Sequence, residues 1–482
     1  MRYAMDMKVN VKPIFSHLVH SGVWEGPCRV GKPEELEPSY EVKIGKEQFQ
    51  LWMKELNENL CNSVNTLEPV TIRFDETYVV PEKEFEKLDQ DINEVDLFLI
   101  TYRVPGIEKF KKPVAMISLG PTPIDVVGFY RDIGLDAYMA HDYDEFNELV
   151  SLLQVRKAIA YTRMLILSET QQFPVTVNTN IHDLYGLYQK YGIGNIRIPF
   201  RNVFDEIEKM KTTRDIENLA DSLFNGATIS NIKKDWIIQD IKFYKAVRQL
   251  MDRFECNAFT CSCFGLCASK YPMRHQCTPC LTHSLLKDER IPSSCEEDIN
   301  VLMATIVLMY LTKQSAFMGN PVLVKKGSNK IQQFGTPAIL FNPARTFDEE
   351  VLEIHHSVPS TKMEGFDNPP MPYQLGHFTY EGWGTKVQID MSAGKTKMVT
   401  MGRFNRNGDR MIVALGEILD CVFEETFCSP VVYYRIKGGV REFRQALARG
   451  SYGHHLAIVY GDHIEDIKKL AEIVHFDVEV HK

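Results

Sequence analysis

No stretch of this 482-residue chain approaches the roughly 20 consecutive apolar residues that a membrane-spanning helix needs; the longest near-apolar run, Val301 to Leu311, contains Thr305 and stops. An apolar secretory core is missing from the first residues, where Asp6, Asn10 and Lys12 stand, so cytoplasmic residence is expected and the cysteines are expected to be thiols. Excess positive charge is absent too. The 55 Lys and Arg against 64 Asp and Glu leave a formal −9, which argues against nucleic acid or a membrane surface as partner. There is no internal repeat and no low-complexity tract. Hydrophobic residues at 44% and charged residues at 25% exclude disorder and fibrous classes, and the length suits about three domains.

What is present is an alternation of strands and helices. VTIRF (71–75), a polar helical stretch over 81–91, VDLFLITYR (95–103) and KPVAMISLG (112–120) predict a parallel sheet covered by helices. A second such unit follows, with helix over 155–164, strand over 174–179, helix over 182–191, strand over 195–198, mostly helix over 211–253 and strand over 257–263. From about Lys325 the pattern changes to short strands with turn signals, among them PAILFN, KVQIDM, KTKMVTMGRF, DRMIVALGEIL and PVVYYRIKG, then LAIVYGD and a helix over 464–474. The expected fold class is α/β: two Rossmann-like or flavodoxin-like domains, 1–160 and 161–325, followed by a β-rich, barrel-like C-terminal domain, 326–482.

Three constellations compete for the chemistry. Seven of the eleven cysteines lie between Cys256 and Cys295, and Cys261, Cys263, Cys267, His275, Cys277 and Cys280 supply soft ligands for zinc or iron–sulfur. The paired CxxC of a zinc ribbon is missing, so buried thiols are the stronger explanation. The second is Ser293-Ser294-Cys295-Glu296-Glu297-Asp298 before a strongly apolar helix. It spells a capping box, but three consecutive acids exceed what capping requires. The third is a late set of histidines: His355-His356, His377 and His454-His455, each beside Gly, Ser or Pro. A carboxylate and a distant imidazole make an oxygen-rich site suited to Mn²⁺ or Mg²⁺. His182 and the arginines of RIPFRN (197–202) could contact substrate, although a solvated loop explains them as well.

TPCLTHSLLKDERIPSSCEEDIN, GNPV (319–322), HHSVPS and YGHHLAIVYGD, in this order, resemble segments of the L-fucose/L-arabinose isomerase superfamily, especially its fucose-isomerase-like branch. The resemblance covers nearly the whole chain. It implies a ketol isomerase acting through a cis-enediol on an open-chain pentose, 6-deoxyhexose or substituted hexose. It implies a divalent cation, Mn²⁺ foremost and Mg²⁺ or Co²⁺ as alternatives, held by Glu296, Asn320 and His455. Glu296, Asn320 and His355 take the catalytic positions, and His355, His377 and Glu381 the substrate contacts. A homo-oligomer, trimer or hexamer, is implied as well. One departure stands out: Asn320 occupies a position expected to carry a carboxylate, and an amide cannot accept a proton as a base. A sugar-binding protein that has lost catalysis on the same fold, and a cysteine-centred zinc or redox protein, are the competing functions.

Overall fold

The computed structural model describes residues 3–23, 32–169, 177–328, 345–425 and 428–482. The chain divides into two compact units, residues 7–154 on one side and residues 1–6 with 155–482 on the other.

In the first unit a parallel sheet is built around strand Val9–Leu18. Leu97–Ile100, Val114–Ile117 and Ala137–Ala140 follow on one side of it. On the other side the neighbour is split: Val64–Thr66 pairs with residues 9–11 and Val70–Phe74 with residues 14–18. The break falls at Lys12-Pro13, and Pro13 has no N–H to offer a neighbour. This is the flavodoxin-like order, second strand, first, third, fourth, fifth. Polarity inside strand Val9–Leu18 hides it in the sequence, yet Lys12 is buried with its ammonium 2.6 Å from Asp91.

The second unit opens with a four-stranded parallel sheet ordered Ser293–Cys295, Ala258–Cys261, Arg163–Leu167, Gly194–Ile198. Met164, expected at a helix end, is in strand Arg163–Leu167, because helix Tyr143–Tyr161 stops before it. Of the expected strand over 174–179, residues 174–176 lie outside the described residues, 177 is irregular and 178–179 form a turn. PAILFN (337–342) also lies outside them.

The C-terminal part is an antiparallel, barrel-like sheet. Met398–Phe404, Arg410–Val422, Val431–Ile436, Val351–His355, Phe317–Val324 and Leu456–Tyr460 pair in that order, and Leu456–Tyr460 pairs back onto Met398–Phe404, so the ring closes. Closure leaves no exposed edge in the ring. Its alternate residues Val399, Met401, Ile412, Ala414, Val432, Tyr434, Leu352, Ile354, Leu456 and Ile458 belong to one apolar core. Helix Ile299–Thr312, buried from Ile299 through Tyr310, packs against strands Leu456–Tyr460 and Met398–Phe404. No helix among the described residues is long and apolar enough to cross a membrane.

Lys287 is a buried cation of this unit, its Nζ donating to the carbonyls of Ala316 at 2.9 Å and Val358. Burial pulls it down to about 7, although Asp288 beside it acts the other way. Between that value and the ordinary lysine range the folded chain binds fewer protons than the unfolded one, so this group adds stability as pH rises. Wild type should therefore gain a few kcal/mol on a Lys287→Met variant between pH 7 and 10, at about 1.4 kcal/mol per pKa unit, read from urea melts at each pH. A pH-independent difference would contradict the assignment.

Candidate metal centre

The parallel sheet of the second unit delivers its strand ends to one edge, where open α/β sheets hold ligands. Ser293–Cys295 pairs with Phe259–Cys261, so the chain is still extended where a capping box would have begun the helix. Glu296 and Glu297 then take φ of +60° and +54°, left-handed conformations that cost a non-glycine residue on the order of 1 kcal/mol or more each. The helix begins at Ile299, capped by Asp298, whose Oδ1 accepts from Val301 N at 3.1 Å. Buried Asn180 clamps the turn, donating to Glu297 O at 2.8 Å and accepting from Ile299 N at 2.9 Å. The strain aims the two glutamates apart. Glu297 meets Arg197 of the RIPFRN segment, and Glu296 points at histidines of the barrel.

Glu296 Oε1 lies 3.4 Å from both His455 Nε2 and His356 Nε2, and all three residues are buried. These distances suit ion pairs, but neither nitrogen has a hydrogen-bond partner among the described residues. Burial opposes the charge on Glu296, yet His455 and His356 together hold its carboxyl far below the usual range. His455 is oriented from behind: its Nδ1 is 2.7 Å from Asp298 Oδ2, and Arg403 Nη1 donates to the same oxygen at 2.6 Å. Burial works against a charged His455, but Glu296 and Asp298 outweigh it and raise the ring to about 9. With Nδ1–H given to Asp298, the second nitrogen faces Glu296, the carboxylate–histidine arrangement that supports metal ligands. His356 is turned the other way. Its Nδ1 accepts Ser357 N–H at 3.0 Å, so the neutral ring carries its hydrogen on Nε2, toward Glu296.

His454 completes the group. Glu296, His454 and His455 each offer a ligand atom, all within 4.8 Å of one another. Burial first, then His455 at a ring-centroid distance of 4.2 Å, push His454 down to about 3, so it stays neutral with a lone pair to give. One carboxylate and two imidazoles, with a buried nitrogen that lacks a partner, fit a divalent cation. The cysteines do not form the group found among the described residues; Cys256, Cys261, Cys277, Cys280 and Cys295 are buried free thiols.

The other sequence candidates fall at graded distances from this group. Asn320 pairs with His355 across the ladder and is one residue beyond the Gly319↔Leu456 pair that leads to His455. A Cβ at Gly319 would lie 2.9 Å from His355 O, so glycine lets the two strands close here. Asn320 shares a strand face with Met318, whose Sδ accepts the Cys295 N–H at 3.1 Å beside Glu296. Its amide makes no hydrogen bond among the described residues. His355 Nδ1 is 2.7 Å from Glu353 Oε1. His377 is linked instead to Thr379 O at 2.8 Å and Glu425 at 3.3 Å, and exposed Glu381 accepts from Trp383 Nε1 at 3.0 Å. Sequence reasoning gave no role to His356, Asp298 or Arg403 and set His454 behind His455. Arg403 had a signal, since it shares the core-facing alternation of Val399 and Met401 and such an arginine requires a buried partner.

No protein-family description matches the chain. A solved structure of an ABC transporter solute binding protein from Burkholderia multivorans covers 52% of this chain and 79% of its own at 12% identity, with a TM-score of 0.15, too low to bear on the fold. A sulfoquinovose isomerase from Clostridium sp. (strain MSTE9) is 21% identical over 206 residues, which are 42% of this chain and 40% of that protein, so the match spans well under half of the relative.

Proposed function

We propose that the chain is a metal-dependent sugar isomerase that interconverts an aldose and a ketose through a cis-enediol of the open-chain sugar. One observation carries the reading: a buried carboxylate, Glu296, faced by two imidazoles, one of them oriented by a second buried carboxylate. The sulfoquinovose isomerase similarity supports a sugar isomerase in general. Glu296, His455 and His454 would hold the cation, for which Mn²⁺, Mg²⁺ and Co²⁺ are all chemically suitable. When bound, it supplies Lewis acidity at the sugar's carbonyl and neighbouring hydroxyl.

The chain's own groups do the rest. Glu296 is kept ionised by its histidine neighbours, which suits a ligand and makes it a weak base. The proton between the two sugar carbons is better assigned to His355, oriented by Glu353, on the strand face that carries Asn320. Burial raises the Glu353 carboxyl, while His355 acts against that. His356 Nε2–H, 3.4 Å from Glu296 Oε1 and without a hydrogen-bond partner among the described residues, can donate to a sugar oxygen. In this scheme His355→Asn lowers kcat by about 100-fold, the scale of general acid–base catalysis, while cation content stays at the wild-type level. Unchanged kcat would remove His355 from the chemistry.

Asn320, in place of a second carboxylate, favours one other function, a sugar-binding protein without turnover. Calorimetry that detects sugar binding where NMR detects no ketose over a broad panel would select it. The reading is tested by aldose–ketose turnover with and without chelator.

A further inference from the structure

A cleft of about 290 Å³ opens beside the candidate centre, lined by Asn178, Thr179, Pro321, Arg444, Gly453 and His454 among others. It shares a wall with the centre. His454 offers its ligand atom to the Glu296 and His455 group, and the same residue lines the cleft, so one imidazole separates the two spaces. Pro321 is the residue after Asn320.

The cleft's chemistry is one-sided. Among the described residues no Asp or Glu lines it, and the one lysine or arginine that does is Arg444, on helix Val440–Arg449. Arg441 of that helix is tied to Glu350 at 2.5 Å, and Arg435 is held by Glu349 at 2.6 Å. Arg444, by contrast, forms no ion pair and no hydrogen bond among the described residues. A second guanidinium stands behind the floor. Arg403 Nη2 is fully buried and has no partner among the described residues, and a Cβ placed on Gly453, whose φ is +94°, would meet Thr179 Oγ1 first and then Arg403 Nη2 at 2.8 Å. Glycine at 453 therefore serves both the backbone conformation and the thinness of the wall between Arg403 and the cleft. Asn178 and Thr179 add neutral polar groups at its edge.

We infer that this cleft is the subsite for a tetrahedral oxyanion, a sulfonate or a phosphate, carried on the sugar at the end remote from the isomerising carbons. The inference rests on the isomerase reading for the position of the reacting end. A planar guanidinium matches such a group through paired N–H donors, and a free one offers the most discrimination for the least rearrangement. A neutral hexose leaves Arg444 solvated and gains nothing from Arg403.

The test compares kcat/KM of the metal-loaded chain for glucose, glucose 6-phosphate and the 6-sulfonate sulfoquinovose, in wild type, Arg444→Met and Gly453→Ala. Calorimetric binding of the 6-sulfonated hexitol and of hexitol 6-phosphate, neither of which has a carbonyl to isomerise, is measured alongside. Wild type should prefer one of the anionic sugars by about 100-fold, and Arg444→Met should narrow that preference at least about 10-fold, through KM. Whichever anion shows the effect identifies the source. Arg444 is exposed, so its variant folds even if Gly453→Ala does not. Turnover with equal use of neutral and anionic sugars, or a preference untouched in Arg444→Met, overturns the subsite and leaves the isomerase. If no sugar is turned over but either anionic hexitol binds wild type more tightly than Arg444→Met, the subsite stands and the isomerase falls. No turnover and no such difference in binding overturns both.

Discussion

Glu296→Gln is expected to lower kcat/KM at least about 1,000-fold, a loss on the scale seen when a preorganised charge is removed from a reacting centre. The substitution keeps the shape and removes the charge. His455 Nε2 and His356 Nε2, both 3.4 Å from Oε1, would then face a neutral amide, and His454 would lose the anion that completes its ligand group. Elemental analysis of the purified variant should show the cation well below one equivalent per chain. Circular dichroism should be close to wild type, because Asn180 and the Asp298 cap hold the turn from outside the carboxylate. Wild-type rates in this variant would remove Glu296 from the mechanism.

Asp298→Ala should have the largest effect on stability. Its Oδ2 receives both Arg403 Nη1 and His455 Nδ1, its Oδ1 caps helix Ile299–Thr312, and both members of the Asp298–Arg403 pair are fully buried. Arg403 also donates to the carbonyls of Tyr452 and His455, which satisfy part of the guanidinium but not its charge. Leaving a buried arginine without its carboxylate costs about 3–5 kcal/mol, and the lost cap about 1 kcal/mol more. In a unit of this size that lowers Tm by about 6–9 °C. Asp298→Asn separates structure from orientation. It retains an oxygen for the cap while weakening the hold on the His455 tautomer, and it should reduce cation affinity about 10- to 100-fold with a smaller change in Tm. Equal Tm for Asp298→Ala and wild type would contradict the buried network.

The α/β and barrel grammar was legible because it lies in short-range periodicity. LFLI, VAMI and VVYYRI announce themselves by composition and spacing, and the structure places them in strands. Strand Val9–Leu18 was not legible, since Lys12 and Pro13 interrupt its apolar pattern and only Asp91 and the split neighbour explain them. The same limit governs the centre. The acids of SSCEED and the paired histidines could be picked out as unusual, and the family resemblance chose Glu296 and His455 among them, but the physical reason for separate roles lies in the turn. Two left-handed residues send Glu296 and Glu297 to different partners, and Ser357 N–H decides which nitrogen of His356 carries hydrogen. Asp298 looked like one acid of three, and its role follows from His455, 157 residues away.

The central claim is that Glu296 and its histidines make a cation-dependent sugar isomerase. It is tested most directly by following sulfoquinovose and glucose 6-phosphate by ¹³C NMR in deuterated buffer with chain stripped by EDTA and then reloaded with Mn²⁺. No ketose is expected from the stripped chain, and on reloading ketose forms with deuterium entering the carbon that exchanges its proton. Ketose formation at the full rate after exhaustive chelation would contradict the claim.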